Sequence, residues 1–464
     1  MTNPPQPRPT PPGGFATRGA RPRTVPRPAP PPGDEPGARP GARPGARLRG
    51  SLGQTGGAEL IAAARRAPDL WGFVLTVVVS AAVLLYTASR DPQHLDYFNR
   101  LADAFLHGRI WLNEAPSWLN ELIPVPGKAN EWYVTYPPLP AVLAMPFVAL
   151  FGRDFPAQIY SSLYAALASG LAYVLLGRLG LSLRIRDRLA LTAVFTFGTV
   201  FWFVAIGGSA WYFAHVAAVL FMLAAILVAL QRRTAWLAGA LIGFAALARL
   251  PAGLAAPFVL AAALGFPGSL RGIDWRHVAR TTIVFGVGLA VPVAIYVAYN
   301  EARWGSITDQ GYVLIPGVLQ DPIYAKHGIF SVWYVPRNVF AILFRSWNYV
   351  DDAPWLQPSW WGLGMFLTTP LYLWLAKARW RSPMVWWAGA SAVLVSLPII
   401  THGNVGITQF GYRFSLDFQV LLFVILATAF AAGRWTWRSK LAAVLSIGFC
   451  AYAIWAIGIG FVAF

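Results

Sequence analysis

From Asp69 onward the chain consists of long apolar runs separated by short polar breaks, and the length of those runs constrains the fold most. A helix rises 1.5 Å per residue, so about 20 apolar residues cross the hydrocarbon core of a bilayer. Runs of that kind lie near 70–89, 157–178, 189–206, 210–230, 281–300, 357–376, 383–400, 416–432 and 441–463. The stretch 235–266 is too long for one plain span, and Arg249-Leu250-Pro251 interrupts it. A proline there predicts two short helices or one broken helix. Counting two gives about eleven transmembrane helices. The apolar stretch 139–152 is short, which suits an interfacial or re-entrant segment. The expected fold class is an all-α polytopic membrane protein with two long extracytoplasmic loops carrying interfacial helices. Composition agrees, with 56% hydrophobic and only 12% charged residues. That charge content is half the level of roughly 25% usual in soluble domains, so an ordinary soluble enzyme is excluded. The single cysteine, Cys450, excludes a disulfide framework and a cysteine-built metal site.

Residues 1–68 are a different polymer, rich in proline and arginine, with the repeat GARPGARPGAR at Gly37 to Arg47. So few apolar side chains cannot offset the entropy of ordering, and a disordered tail is expected there. Its arginines would be drawn to anionic headgroups of the cytoplasmic leaflet, or would simply mark the cytoplasmic side as a solvated tail. The chain opens with no apolar core of a signal peptide. The domain division is therefore a tail, 1–68, and a membrane domain, 69–464.

The net charge of +18 follows the membrane. Arg178, Arg184, Arg186, Arg188, Arg232, Arg233, Arg271, Arg276, Arg280, Lys377, Arg379, Arg381, Arg434, Arg438 and Lys440 all fall in loops on the side of the tail. By the positive-inside rule that side is cytoplasmic. An odd number of spans then places the C-terminus outside, in a multi-pass protein of the cell membrane. Nucleic acid is not an expected partner, because the positive charge forms no separate binding face.

Two loops are much longer than a turn requires, 90–156 and 301–356, and both face outward. Long ordered loops usually carry function. In the first, Asp96, Asn99, Arg100, Asp103 and His107 share one helical face at 100° per residue, opposite Leu95, Phe98, Ala102, Phe105 and Leu106. This predicts an amphipathic helix of about three turns, either an interfacial strut with a solvated polar face or the carrier of a general base at headgroup depth. The same loop continues Glu131-Trp132-Tyr133-Val134-Thr135-Tyr136-Pro137-Pro138, where Tyr136 suits the headgroup layer or a sugar ring. In the second loop Arg303, Lys326, Arg337 and Arg345 are candidates for a phosphate or pyrophosphate, or for pairing with the loop's acids. A third outer segment, Gln409 to Asp417, carries Tyr412, Arg413 and Asp417. Arg413 and Asp417 are four apart and would pair on one helical face. Arg249 is the only charge deep within a span, and an intramembrane arginine is a functional candidate by default. His94, His107, His327 and His402 lie outside but lack ligand-like spacing, so no metal ligand set is assigned; a divalent metal is admissible without being implied. Walker, dinucleotide-fold, zincin and hydrolase-elbow motifs are absent.

Four segments together resemble integral-membrane glycosyltransferases of the GT-C superfamily, closest to bacterial protein-mannosyltransferase-like members. They are HLDYFNRLADAFLHGR after the first span, WYVTYPPLPAVL, YNEARWGSITDQGY after a later span, and QFGYRFSLDF before the penultimate span. The resemblance covers residues 70–432. It implies sugar transfer from a polyprenyl-phosphate donor to a glycan or protein acceptor of the envelope, at the outer face of the membrane, with membrane lipids as further partners. It also implies a catalytic acid in the first outer loop. By position this is Asp96, with Asp91 and Asp103 as rivals; Tyr97 stands where many relatives have a second acid. The lipid phosphate would meet Arg249, Arg345 or Arg413. The rival classes are a transporter or lipid flippase, and an inactive scaffold of the same fold. Transporters favour internal repeats and midplane polar sites, and neither is evident apart from Arg249.

Overall fold

The computed structural model of the chain describes residues 52–88, 95–269, 271–351, 353 and 355–458. Contacts set residues 1–60 apart from one compact unit, Ile61–Phe464. The expected tail therefore falls mostly outside the described residues, and the first helix, α1 (Leu52–Thr87), begins inside the segment assigned to it. Asp91 also lies outside the described residues.

The remaining helices follow the apolar runs: α2 (Tyr97–Leu106), α3 (Leu139–Phe151), α4 (Ala157–Arg178), α5 (Ile185–Phe197), α6 (Phe201–Gly207), α7 (Ala210–Ala229), α8 (Ala235–Ala248), α9 (Ala256–Ala263) and α10 (Trp275–Trp304). The second half holds the short α11 (Gly311–Leu314), α12 (Pro322–His327), α13 (Val335–Leu343) and α14 (Met365–Thr368), then α15 (Pro383–Thr401), α16 (Leu416–Phe430) and α17 (Trp437–Gly458). Six short strands form three two-stranded pairs: β1 (Leu122–Pro124) with β2 (Trp132–Val134), β3 (Asn348–Tyr349) with β4 (Leu356–Gln357), and β5 (Trp361–Leu363) with β6 (Gln409–Gly411). The first two pairs are antiparallel and the third is parallel. The protein is thus an all-α polytopic membrane protein with three small strand pairs.

Among the described residues seven helices are long and apolar enough to cross a membrane, fewer than the eleven expected; α5 with α6 is a pair bent by 55° that makes up to eight if it crosses as one span. The bend sits at Gly198-Thr199. The Thr199 hydroxyl donates to the Phe195 carbonyl and accepts from the Phe201 N–H and from the Gln419 side-chain amide, so the broken backbone is capped. The other expected spans are shorter. The 357–376 segment is not one long helix: it contains β5, α14 and a 3-10 helix, Pro370–Lys377, because Pro370 cannot continue the ladder of α14. At 235–266, the two-helix alternative holds. Leu250–Ala263 runs back along α8, and a Cβ on Gly253 would meet the Ala246 Cβ at 2.8 Å. With 14 residues, α8 rises about 21 Å, short of the hydrocarbon thickness of about 30 Å. Arg249 occupies the tip of this hairpin, in an extended conformation with φ −145°.

Small residues let the hairpin dock. Gly239 and Gly243 on α8 face Phe285 and Pro292 on α10, and a Cβ on Gly288 would lie 1.7 Å from the Trp236 carbonyl oxygen. Backbones approach this closely in membranes only where side chains are absent. Arg188 donates to Asp69 at 2.7 Å and lies 4.0 Å over the Tyr173 ring, tying α1 to α4 and α5. Gly288→Val is expected to destabilise the purified protein by about 1–3 kcal/mol, the usual cost of overpacking. Unfolding in nanodiscs checks this, and an unchanged midpoint would refute the close packing of α8 on α10.

Candidate active site

Three helices converge on one carboxylate. Asp417, in the first turn of α16, is fully buried. It accepts from Arg249 at 2.9 Å and from His215 Nδ1, on α7, at 2.9 Å. A carboxylate at this depth is costly unless a cation and hydrogen bonds hold it. The expected Arg413–Asp417 pair does not form. Residues Arg413–Ser415 make a 3-10 turn and α16 begins only at Leu416, so the two side chains do not stack as on an α-helix.

Arg413 is buried as well, and it has no carboxylate within ion-pair distance among the described residues. It donates to the Ile407 carbonyl at 2.5 Å and lies within 6 Å of the Trp211, Tyr212 and Phe414 rings, at 5.6, 5.7 and 5.0 Å. Its Nε has no hydrogen-bond partner. A buried guanidinium in this state is short of negative charge.

An acid that couples electrostatically to Arg413 is Glu121, just before β1. The Glu121 carboxylate accepts from the Tyr136 hydroxyl and, at 3.1 Å, from the Trp211 indole. Its backbone is clamped too: the N–H donates to the Tyr97 hydroxyl at 2.8 Å, and the carbonyl accepts from Thr135 at 2.5 Å. Burial raises the Glu121 pKa, while the Trp211 hydrogen bond and the Arg413 charge pull it down. Tyr312, on α11, closes the arrangement. Burial and the Glu121 charge push its hydroxyl up, and Arg413 and Arg249 act the other way. Its ring meets His402 edge-on at 5.2 Å. Burial lowers His402 to about 4. Its Nδ1 accepts the Asn404 N–H at 2.9 Å, which leaves the proton of the neutral ring on Nε2.

Arg337 donates to the Gly403 carbonyl at 2.5 Å, and Arg345 to the Trp361 carbonyl at 3.0 Å. Both act on the Tyr412 hydroxyl electrostatically. That hydroxyl has no hydrogen-bond partner, and Tyr412 lines a small internal cavity with Thr368, Thr369 and Gln419. The structure therefore brings together Tyr136, Arg249, Arg345, Tyr412 and Arg413 from the sequence candidates. Lys326 stays apart, exposed on α12.

The expected base region looks different from a solvated amphipathic face. Asp96 sits at the N-terminal boundary of α2, and both its oxygens are engaged, one by Arg100 at 2.8 Å and one by the Trp118 indole at 3.3 Å. Arg100 also holds Glu114. Asn99 is buried and bonds the Arg153 and Phe155 carbonyls and the Tyr160 hydroxyl. Asp103 lies near His107 and Arg109, at 3.5 and 3.9 Å. Among the described residues no three His, Cys, Asp or Glu side chains are grouped to hold a metal.

Sequence reading missed Glu121, Trp211, His215 and Tyr312, and weighed His402 only as a metal candidate. Glu121 belongs to no periodic face, and Trp211 and His215 hide inside an apolar run. Only the intramembrane polarity of His215 was a local signal.

No family model and no curated protein matches the chain. Among solved structures it is similar to the crystal structure of ArnT from Cupriavidus metallidurans bound to undecaprenyl phosphate, with a TM-score of 0.48 and 17% identity. The match covers 82% of this chain and 63% of that one, so this chain spans less than two thirds of its length.

The Glu121 cage makes a checkable statement about pH. The raised pKa means that protonated Glu121 contributes stability fully present below the unfolded-state pKa, and lost as pH rises through the folded one. Trp211→Phe removes a donor to the carboxylate and is expected to raise that pKa further. The carboxyl stretch in infrared difference spectra then titrates at higher pH than in the wild type. A shift to lower pH would show that Trp211 does not stabilise the anion.

Proposed function

We propose that the protein is a glycosyltransferase that moves a sugar from a polyprenyl-phosphate donor to an envelope acceptor at the outer face of the cytoplasmic membrane. The supporting observation is the buried Arg413, lacking a carboxylate partner and sharing its field with the caged carboxylate of Glu121. Buried charges are normally paired, so an unpaired guanidinium at the outer end of a span suits an anionic group that arrives with a membrane-borne substrate. A phosphate at the headgroup level is such a group. The resemblance of the outer-loop motifs to GT-C enzymes points the same way, and so do the outward placement of both long loops and the cytoplasmic bias of the cations.

In this reading Arg413 and Arg249 hold the donor phosphate. A carboxylate removes the proton of the acceptor hydroxyl. The oxygen attacks the anomeric carbon as the bond from that carbon to the phosphate oxygen breaks, and the electron pair leaves with the polyprenyl phosphate. The arginines are already oriented by carbonyls, aromatic rings and Asp417, so they stabilise the charge that develops on the leaving phosphate without reorganising. Two carboxylates compete for the base. Asp96 stands at the position that the resemblance favours, yet both its oxygens are occupied. Glu121 stands in the field of Arg413, and burial raises its basicity, which suits a base working near neutral pH. We assign the proton transfer to Glu121 and an orienting role to the Asp96–Arg100–Glu114 group.

Sugar transfer by the protein in nanodiscs, with a panel of labelled polyprenyl-phosphate sugars and an envelope extract, tests this. Glu121→Gln and Arg413→Gln should each lower turnover by about 100-fold or more. Asp103→Asn should retain it. Loss in Asp96→Asn with full activity in Glu121→Gln would return the base to Asp96. No transfer by folded wild type with any donor would overturn the reading in favour of a flippase or scaffold.

A further inference from the structure

The amphipathic helix α13 is packed the wrong way round for a water-covered loop. Its polar residue Asn338 is fully buried, and its side-chain amide donates to the Ile400 and His402 carbonyls at 2.9 and 2.7 Å. These belong to the last turn of the span α15 and its cap, where carbonyls have no intrahelical partner. Arg337 also turns inward, onto the Gly403 carbonyl. The opposite face is apolar and bare. On α13 Pro336 is exposed and Phe340 is 55% exposed; Phe344, which caps the helix, is 62% exposed, and Val332, in the 3-10 turn that leads into it, is 81% exposed. Trp333 and Phe330 beside them are exposed as well.

Asn338 fixes the depth of this face. It binds α13 to the terminal turn of a membrane span, so the helix lies at the boundary between headgroups and acyl chains. Span α15 itself presents a bare stripe, Trp386, Val393 and Leu397, as a lipid-facing helix does. The backbone join between Ser331 N–H and the Thr401 carbonyl, at 2.8 Å, makes the two surfaces neighbours. An exposed apolar stripe at this depth, adjoining a lipid-facing one, meets lipid.

We propose that residues 330–344 form an elbow inserted in the outer leaflet, with Val332, Pro336, Phe340 and Phe344 among the acyl chains and Asn338 as its anchor to α15. The occupant of the surface is the bilayer. The elbow carries Arg337, and Arg345 follows it directly, so it seats both cations at the level of lipid headgroups. The inference does not depend on the proposed chemistry.

Site-directed spin labelling of the full chain in nanodiscs tests it, with the buried Cys450 changed to Ala as background. Nitroxides replace Val332, Phe340 and Phe344 singly, and Lys128, exposed in the first outer loop, serves as the aqueous reference. Collision rates with oxygen and with a water-soluble nickel chelate give the depth. The expected result is oxygen in excess at all three positions, at about 5–10 Å below the headgroups, and nickel in excess at residue 128. Nickel in excess at 340 and 344 would overturn the proposal by placing the face in water. Low collision with both reagents would overturn it by placing the face against protein. Asn338→Ala, which keeps the stripe and removes its anchor, should bring positions 340 and 344 closer to the aqueous reference. Unchanged depth in that variant would remove Asn338 from the proposal.

Discussion

The ion pair between Arg249 and Asp417, completed by His215, is the interaction on which the outer half of the membrane body depends. Each group alone would be expelled from a hydrocarbon environment, since removing one partner of a buried pair costs about 3–5 kcal/mol. Together they tie α7, α16 and the tip of the α8–α9 hairpin into one corner. The hairpin can end there because α8 is too short to reach the far surface, and because Pro251 and the extended Arg249 stop it. Glycines on α8 and α10 then let the short helix pack with backbones nearly in contact. The charge cluster and the small-residue seam thus solve one problem from two ends: how to hold a broken helix in lipid.

That corner leaves a specific electrostatic imbalance. Asp417 satisfies Arg249, but among the described residues Arg413 is met by a carbonyl, a side-chain amide oxygen and aromatic rings and by no carboxylate. Glu121 is held apart in its own cage by Tyr136 and Trp211. In the proposed transfer the cation short of negative charge would receive the leaving anion, and the carboxylate of raised pKa would accept the proton. The proposed elbow would give the segment that carries Arg337 and Arg345 a lipid-covered flank, which suits the proposed membrane-borne substrate.

Most of the architecture was legible in the sequence because hydropathy acts locally. Up to eight spans follow apolar runs, counting the bent α5–α6 pair as one, and the break at Arg249-Leu250-Pro251 follows from the proline. The first outer helix lies where the spacing of Asp96, Asn99 and Asp103 put it, but its face was misjudged. Asn99 and Arg100 look solvated by periodicity, yet neighbouring carbonyls and acids bury them. The i to i+4 pairing of Arg413 with Asp417 failed for a similar reason. It assumed an α-helix one turn too early, and a partner 168 residues away took the carboxylate instead.

The sequence by itself determined that this chain is a multi-span membrane protein. That property depends on how many apolar residues stand in a row. It also singled out Arg249, a charge inside an apolar stretch, as a functional candidate. Only the tertiary structure decided which partner Arg249 takes, that Arg413 lacks one, and that Glu121 stands in its field. Those facts depend on distances between residues from different helices, and the low dielectric of the buried corner makes such distances decisive.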